Sequence, residues 1–498
     1  MLGFLFVVFT CMSVMSEVKP GGIFGDNMVL QRDAELPIWG WAGKKERINV
    51  EFNGETRSAM SDDEGKWLLR IGPFSAGGPF LLRITGANTV EYKNIMIGDV
   101  WLCSGQSNMQ YPLKDEANGE AELHSAMHSG IRLIKIGGTA PVPSEDLFMT
   151  FPHISRNWMQ CDPSVLKWFS AVAYYFGRDL NERLNIPIGL IETAEGSTPI
   201  RAWISPDSQR LNPLFKDDIA DYSTYLERKK TFDAKMAEYQ AALNKSNGDG
   251  LKPPAHPGFF EAYASSPGLL YNARIHPLAP FAIKGVIWYQ GENEAYYRHS
   301  ATYHNHFLTM IENWRKLWKQ DLPFIFVQLA PINSIQQLPA ESTWAEVRNA
   351  QRESLKLSNT AMVVTTDICE SGLHPRKKAE LAKRLSMAAR AIAYNEKVEY
   401  SGPLFSKIEF NDGKARIFFT HAEKGLISRE GMLKGFSIAG ADRQFVWADA
   451  VIDGDTVIIS SEKVKNPEAV RYAWADNPLG NLFNKDGFPA SCFKTDKW

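Results

Sequence analysis

Cysteine, excess charge and low-complexity sequence are all scarce in this chain. It has five cysteines among 498 residues, and none forms a CxxC pair or a metal-ligand spacing, which excludes a disulfide scaffold and gives no sign of a metal centre. A net charge of −2 offers no basic surface for nucleic acid or an anionic membrane. No repeat interrupts the sequence. The remaining composition is that of an ordinary soluble globular protein.

Long hydrophobic runs are also rare, and the notable one stands at the start, in residues 1–16 (MLGFLFVVFTCMSVMS). It is too short for a comfortable membrane span, and Val14 and Ser16 suit the −3 and −1 positions of a signal peptidase site. Lys and Arg are missing from its first residues, and a lipoprotein anchor at Cys11 is disfavoured by the large residue before it. We predict a signal peptide, a mature chain from Glu17 without a membrane span, and a secreted or periplasmic protein.

Three segments of different character follow the predicted signal peptide. Residues 17–94 hold short alternating apolar segments separated by turn signals, which predicts a β-sandwich-like module. Residues 95–397 alternate strands with helices, and a charged helical excursion over 206–257 has the character of a lid or flap. Residues 398–498 return to β-type segments. The length also favours about three domains, at about 150 residues each.

The middle segment carries strand candidates that are continuously apolar rather than alternating. They lie at 98–103, 131–136, 188–193, 284–289, 323–329 and 361–366. Such runs are typical of strands buried on both faces of a parallel sheet. Helical periodicity lies between several of them, at 170–184, 303–318, 343–356 and 375–394. The fold class is therefore α/β, with a doubly wound parallel sheet flanked by N-terminal and C-terminal β modules.

Polar side chains follow the strand ends where sites gather in open parallel sheets. Ser107 follows the first strand, Gly196 the third and Asn293 the fourth, while His374 follows the last. This set suits acyl transfer: Ser107 would attack an ester carbonyl and His374 would take its proton. The backbone N–H groups of Ser107 and Gly196, with the Asn293 amide, would hold the oxyanion. His276 is a reserve candidate for the base.

Each of these residues also has a structural interpretation. Ser107 could cap a strand–turn junction, and Gly196 could be a turn glycine. Asn293 could be a helix N-cap, and His374 a solvent-facing residue at a helix start. Their convergence on one sheet edge favours the chemical interpretation over each separate alternative.

Four long segments carry a family resemblance. They are GDVWLCSGQSNM (98–109), PIRAWIS (199–205), LYNARIHPLAPFAIKGVIWYQGE (270–292) and YAWADNPLGNLFNKDGFPA (472–490). In this order they resemble the SGNH hydrolases and, more closely, the sialate O-acetylesterase family of carbohydrate esterases. The resemblance implies the roles given above and removal of acetyl groups from sialic acid hydroxyls. We also expect Gln106, Gln290 and Glu292, within the SGQSNM and WYQGE runs, to contact the substrate.

The chain departs from the family pattern at the acid that orients the histidine. Members usually carry an acidic residue two or three positions before it, where this chain has Gly372 and Ser371. The nearest upstream carboxylates are Glu370 and Asp367, and either could orient the His374 imidazole. A Ser–His dyad with a backbone carbonyl in that position is the alternative.

Three functions follow from these residues. The first is a serine esterase that deacetylates sialic acids or related acetylated glycans, without metal or organic cofactor. The second is an acetylesterase of plant polysaccharides such as acetylxylan. The third, suggested by the missing acid, is a glycan-binding protein that has lost catalysis. The sequence indicates an acetylated glycan as partner and no nucleic acid, and it does not indicate an oligomeric state.

Overall fold

The computed structural model describes residues 17–147, 157–249, 265–370 and 372–498, without the side chains of 246–249. The predicted signal peptide at 1–16 and the end of the predicted excursion lie outside the described residues. No described helix is long and apolar enough to cross a membrane.

The N-terminal part consists of short strands in two sheets. β1, β3 and β6 form one, and β2, β4, β5 and β7 join β8 in the other. Val18, Ile38, Val50 and Ile84 are buried between them, as expected where alternate residues of a strand face the same side. The strands are β1 (Lys19–Pro20), β2 (Val29–Gln31), β3 (Leu36–Trp41), β4 (Arg47–Phe52), β5 (Glu55–Met60), β6 (Lys66–Ile71), β7 (Gly77–Thr85) and β8 (Thr89–Gly105).

β8 continues through residue 94, where the sequence predicts a domain boundary. Its first half pairs antiparallel with β7, and its second half lies at the centre of the α/β sheet. The domain boundaries themselves stay predictions. This continuity fixes the N-terminal module to the strand that leads to Ser107.

The central sheet runs in the order β10-β9-β11-β8-β12-β13-β14. All neighbours from β9 to β14 in this order are parallel, and β10 adds an antiparallel edge. β8 is first in the chain but central in space, so the chain direction switches beside it, where α/β sheets form ligand sites. The added strands are β9 (His128–Lys135), β10 (Met159–Cys161), β11 (Ile188–Ala194), β12 (Gly285–Tyr289), β13 (Phe324–Val327) and β14 (Thr360–Val363).

Helices cover both faces of this sheet. Val100 and Leu102 belong to one buried cluster and Trp101 and Cys103 to the other, because successive side chains of a strand point to opposite faces. The predicted α/β fold is confirmed. The helices are α1 (Ser107–Gln110), α2 (Gly119–Ser125), α3 (Pro163–Leu166), α4 (Ala171–Leu184), α5 (Pro206–Arg210), α6 (Lys216–Asp249), α7 (Glu292–Tyr296), α8 (Ser300–Trp318), α9 (Thr343–Glu353) and α10 (Ala379–Ala393).

The predicted helix at 375–394 begins later than its sequence pattern indicates, because α10 starts at Ala379. The backbone N–H of Arg376 donates to the Glu370 carboxylate at 2.6 Å, and that of Lys378 donates to Glu116 at 3.1 Å. Carboxylate side chains thus satisfy these backbone donors without a helix. The segment before Ala379 is therefore not helical, and it places His374 at the sheet edge.

The C-terminal part is a set of antiparallel sheets fastened to the α/β part by Arg348. This buried guanidinium donates to the carbonyl oxygens of Ala475 and Asp476, at 2.6 and 2.9 Å, and to those of Leu329 and Ala330. The strands are β15 (Leu404–Asn411), β16 (Lys414–Thr420), β17 (Leu426–Ser428), β18 (Phe436–Ala439), β19 (Val446–Trp447), β20 (Asp449–Asp453), β21 (Thr456–Ser460), β22 (Ala469–Tyr472), β23 (Leu482–Asn484) and β24 (Phe493–Lys494).

Candidate active site

The turn that carries Ser107 is fixed by close backbone contacts between β8 and β12. Gly105 has a φ of 137°, and a Cβ there would lie 2.1 Å from the carbonyl oxygen of Tyr289. Only glycine fits this position. The next backbone N–H, of Gln106, donates to the same oxygen at 3.0 Å. Ser107 therefore stands as the first residue of α1 at the carboxyl edge of the sheet.

The structure brings His374 to Ser107. His374 Nε2 lies 2.8 Å from Ser107 Oγ, so a neutral imidazole can accept the hydroxyl proton. Partial desolvation of the ring, together with the positive charge of Lys378, lowers the pKa of His374 and favours this neutral form. The reserve candidate His276 lies elsewhere, with Nδ1 3.1 Å from the carbonyl oxygen of Ser144.

A buried polar network joins the serine turn to the histidine loop. Asn108 donates to Glu292 Oε1 at 2.5 Å and to the carbonyl oxygen of Leu373, the residue before His374, at 2.9 Å. Lys378 Nζ donates to Asn108 Oδ1 at 2.7 Å. Burial raises the pKa of Glu292 to about 7 and lowers that of Lys378 to about 8. Asn108 therefore connects the turn that carries Ser107 to the loop that carries His374.

The oxyanion candidates also gather around Ser107. A Cβ on Gly196 would lie 3.6 Å from Ser107 Cβ, which places the Gly196 loop beside the nucleophile. The Gly196 N–H donates to Gln110 Oε1 at 3.1 Å, and Asn293 Nδ2 donates to the Ser197 carbonyl oxygen at 2.9 Å. The Gly196 N–H would therefore have to leave Gln110 to bind an oxyanion, whereas the Asn293 amide has a second N–H beside the one that binds Ser197.

Neither predicted acid lies against the imidazole. Asp367 forms two hydrogen bonds with Arg384, at 2.8 and 2.7 Å. Although burial opposes it, hydrogen bonds from backbone N–H groups, that of Arg376 among them, hold the pKa of Glu370 below its usual value. Within the described part of the chain, no carboxylate forms a hydrogen bond with His374.

The residues expected to contact substrate are buried. Gln106 Oε1 accepts weak hydrogen bonds from the N–H groups of Gly291 and Asn293, at 3.4 and 3.5 Å. Gln290 Nε2 donates to Glu294 Oε2 at 2.6 Å, and Glu292 binds Asn108 as described above. These contacts connect the site loops to one another. Substrate contact by these three residues stays a prediction.

Sequence reasoning missed Asn108, Gln110 and Lys378. The first lies within the SGQSNM run and the second directly after it, so a position-by-position examination of that motif could have found both. Lys378 ends the run Arg376-Lys377-Lys378, which has the pattern of a solvated charged surface. Its fully buried ammonium has no signal in the sequence.

No group of three or more His, Cys, Asp or Glu residues in the described ranges is arranged to hold a metal ion. The described cysteines, Cys103, Cys161, Cys369 and Cys492, are all free thiols.

Comparison with known proteins gives consistent matches. The family model for carbohydrate esterases described as sialic acid-specific acetylesterases matches residues 261–392. The sialate O-acetylesterase of Homo sapiens is 28% identical, with 91% of this chain and 87% of that protein covered. The enzyme of the same name from Rattus norvegicus is 29% identical, with 91% and 88% covered.

A solved structure matches nearly the whole chain. It is a carbohydrate acetylesterase from Xanthomonas citri, with 33% sequence identity and a TM-score of 0.82. The match covers 97% of this chain and 100% of that one. It therefore includes the β modules as well as the α/β part.

Proposed function

Because this chain belongs to the sialate O-acetylesterase family of carbohydrate esterases, we propose that it removes O-acetyl groups from sialic acids or related acetylated glycans through an acyl-enzyme on Ser107. The observation that carries the proposed mechanism is the 2.8 Å distance between Ser107 Oγ and His374 Nε2 at the sheet edge. An intact nucleophile–base pair also disfavours the alternative of a glycan-binding protein without catalysis.

The first half of the reaction forms the acetyl-enzyme. Ser107 Oγ attacks the acetyl carbonyl carbon while His374 Nε2 takes the hydroxyl proton. The carbonyl oxygen becomes an oxyanion. The N–H of Ser107, the N–H of Gly196 after it leaves Gln110, and the Asn293 amide stabilise this oxyanion. The C–O bond to the sugar then breaks, and His374 returns the proton to the sugar oxygen.

The second half releases acetate. A water molecule gives a proton to His374 and attacks the acetyl carbon, and the bond to Ser107 Oγ breaks as that oxygen regains a proton. His374 must be neutral at the start of each half, which the positive charge of Lys378 favours. Each oxyanion donor contributes about 2.7–4 kcal/mol of barrier reduction in comparable enzymes.

The orienting group for His374 is part of the proposal. Because Asp367 and Glu370 bind other groups, we propose that Ser107 and His374 act as a dyad; a backbone carbonyl remains the expected orienting group for the imidazole, and no described carbonyl forms a hydrogen bond with the ring. The buried contact from Asn108 to the Leu373 carbonyl holds the loop in place. Secretion, which rests on the apolar run at residues 1–16, is the proposed setting.

The experiment is a side-by-side acetate-release assay on O-acetylated sialoglycans and acetylated xylan. We expect release from the sialoglycan that depends on Ser107. Release from xylan alone would favour the polysaccharide esterase, and a fully active Ser107→Ala variant would remove the serine mechanism.

A further inference from the structure

A polar pocket opens beside the Ser107 turn, with a cavity volume of about 280 Å³. Its lining comes from the loop after Gly196, from α7 and α8, and from the start of α6. The lining residues Ser197 and Asn293 bind each other at 2.9 Å. Ser197 directly follows Gly196, where a Cβ would lie 3.6 Å from Ser107 Cβ. A sugar whose acetyl group is bound at Ser107 therefore lies next to this pocket.

The side chain of Arg201 forms part of the pocket wall. Its Nη1 donates to Asp218 Oδ1 at 2.8 Å and to Asp221 Oδ2 at 2.9 Å, which uses both hydrogens of that nitrogen. Its Nε and Nη2 form no hydrogen bond with any residue in the described ranges. The Nε–Nη2 edge presents two parallel N–H groups, the geometry that binds a carboxylate through both oxygens.

The two aspartates do not cancel the attraction of Arg201 for an anion. Asp218 Oδ2 lies 2.7 Å from His306 Nε2, while His306 Nδ1 lies 3.1 Å from the Thr302 carbonyl oxygen. A carboxylate oxygen only accepts, so His306 Nε2 donates to Asp218. The Asp218 carboxylate is thus shared between two donors, Arg201 and His306. Asp221 has a side chain that is 60% exposed, so solvent screens its charge.

The rim of the pocket suits a sugar ring. Tyr297 lines the opening and is 61% exposed, although it packs edge-on against Tyr296 with ring centroids 5.1 Å apart. An exposed tyrosine offers an apolar face and a hydroxyl together. Glu294 also lines the pocket, but burial raises the pKa of its carboxyl group, and its oxygens already accept hydrogen bonds from the Ile200 N–H and Gln290. The pocket therefore combines an aromatic rim, hydrogen-bonding groups and one arginine edge.

We propose that this pocket is the subsite for the sugar part of the substrate, and that the Nε–Nη2 edge of Arg201 binds the carboxylate of an acetylated sugar acid. Arg201 is then a specificity-determining residue that selects anionic sugars such as sialic acids over neutral ones. This inference rests on the proposed function, because the sugar is positioned by an acetyl group on Ser107.

The test compares two substrates that differ only in charge. Acetate release by the full chain is measured on O-acetylated N-acetylneuraminic acid and on its C1 carboxamide, which keeps the shape but lacks the anion. We expect the free acid to be preferred by about 10- to 100-fold in kcat/KM, the range for hydrogen bonds to a charged group. Most of the difference should lie in KM, because the carboxylate is remote from the reacting carbonyl.

Variants assign the preference to Arg201. Arg201→Met should lower kcat/KM for the free acid to the level of the carboxamide. The kcat/KM of Arg201→Lys for the free acid should lie between those of the wild type and Arg201→Met, because lysine keeps the charge but lacks the paired N–H groups of the guanidinium. Arg210→Met, an exposed arginine of α5 that pairs with Asp207, is the matched control and should keep the full preference.

Equal kcat/KM for the acid and the carboxamide in the wild-type protein would overturn the proposal, even if every variant failed to fold. Retention of the preference by a folded Arg201→Met variant would overturn it as well. The underlying esterase is tested separately with 4-nitrophenyl acetate, which has no sugar. If the wild-type protein does not hydrolyse that ester, or if Ser107→Ala hydrolyses it equally well, the proposed function itself is overturned.

Discussion

His374 and His306 each have a polar side-chain partner within 3 Å, but the two partners suit the two rings to different roles. His374 lies 2.8 Å from the Ser107 hydroxyl, and His306 lies 2.7 Å from the Asp218 carboxylate. The Ser–His pair is at the open sheet edge, whereas the Asp–His pair is buried between α6 and α8. The family pattern predicts a carboxylate partner for His374. Among the described residues no carboxylate binds His374, whereas Asp218 binds His306.

The difference shows how the partner decides what an imidazole can do. His306 Nε2 faces the Asp218 carboxylate and Nδ1 faces the Thr302 carbonyl oxygen, so both ring nitrogens are directed at groups of the protein and neither faces a hydroxyl that could be deprotonated. His374 faces a hydroxyl, and the nearby Lys378 ammonium disfavours its protonated form. One arrangement holds helices together, and the other leaves a base ready to react.

The largest expected effect comes from removing the partner of His374. Ser107→Ala should reduce acetate release by about 10⁴-fold or more, because nucleophile and base act as a unit. Thermal unfolding should be nearly unchanged, since the hydroxyl contributes one hydrogen bond at the surface. Ser125→Ala, an exposed serine of α2, is the control. Substantial activity in Ser107→Ala would show that the pair at the sheet edge is not the reacting pair.

Removing the partner of His306 should affect stability instead. Asp218→Asn leaves Arg201 and His306 without their shared carboxylate, which should lower the free energy of unfolding at pH 7 by about 3 kcal/mol. Although burial opposes it, hydrogen bonds from His306 and Arg201 hold the pKa of Asp218 below its usual 3.8. The contribution is therefore present above pH 3.8 and is lost as the pH falls through the lower folded-state pKa.

Urea denaturation of Asp218→Asn at pH 7 and at pH 3 measures this difference. Asp217→Asn, its exposed neighbour on α6, is the matched control and should unfold as the wild type does. An Asp218→Asn variant as stable as the control at pH 7 would mean that the Asp–His pair is not what holds α6.

Lys378 contributes positive charge near His374. Lys378→Met removes the cation that lowers the pKa of His374, so that pKa should rise and the acid limb of the kcat/KM profile should move to higher pH. Loss of the hydrogen bond to Asn108 should also lower kcat by about tenfold, the value of one charge-assisted hydrogen bond.

Lys377→Met is the control for this change, because Lys377 is the adjacent exposed lysine. Its profile should match the wild type. An unmoved acid limb in Lys378→Met, or one displaced to lower pH, would contradict the role of the buried ammonium.

Much of this arrangement could be predicted from the sequence. The apolar runs predict the parallel strands, and the polar residues that follow them predict that Ser107 and His374 meet. The strands follow from the periodicity of short segments, and the meeting of their carboxyl ends follows from the general architecture of parallel sheets. The sheet topology confirms the α/β fold, and the comparisons with known proteins confirm the family resemblance.

The remaining features depend on side-chain directions that periodicity does not encode. Lys378 stands in a run of three basic residues, but it turns inward because Asn108 and the ring of Tyr289 form a place for its ammonium. Asp367 is one of the two nearest upstream carboxylates of His374, yet Arg384 of α10 binds it. Both outcomes are decided by residues far away in the chain or on another element.

Replacing either acid upstream of His374 should change catalysis least. Glu370→Gln and Asp367→Asn should each change kcat by less than about tenfold, because their carboxylates bind Arg376 and Arg384 and not the His374 ring. The kinetics are measured beside thermal unfolding, since Asp367→Asn also breaks a partly buried ion pair. A fall of about 10⁴-fold in a folded variant, the effect of losing a tautomer-fixing carboxylate in a serine protease, would place that acid on His374 during catalysis. His374 would then share the carboxylate partnership of His306, and the difference between them would lie in the nucleophile alone.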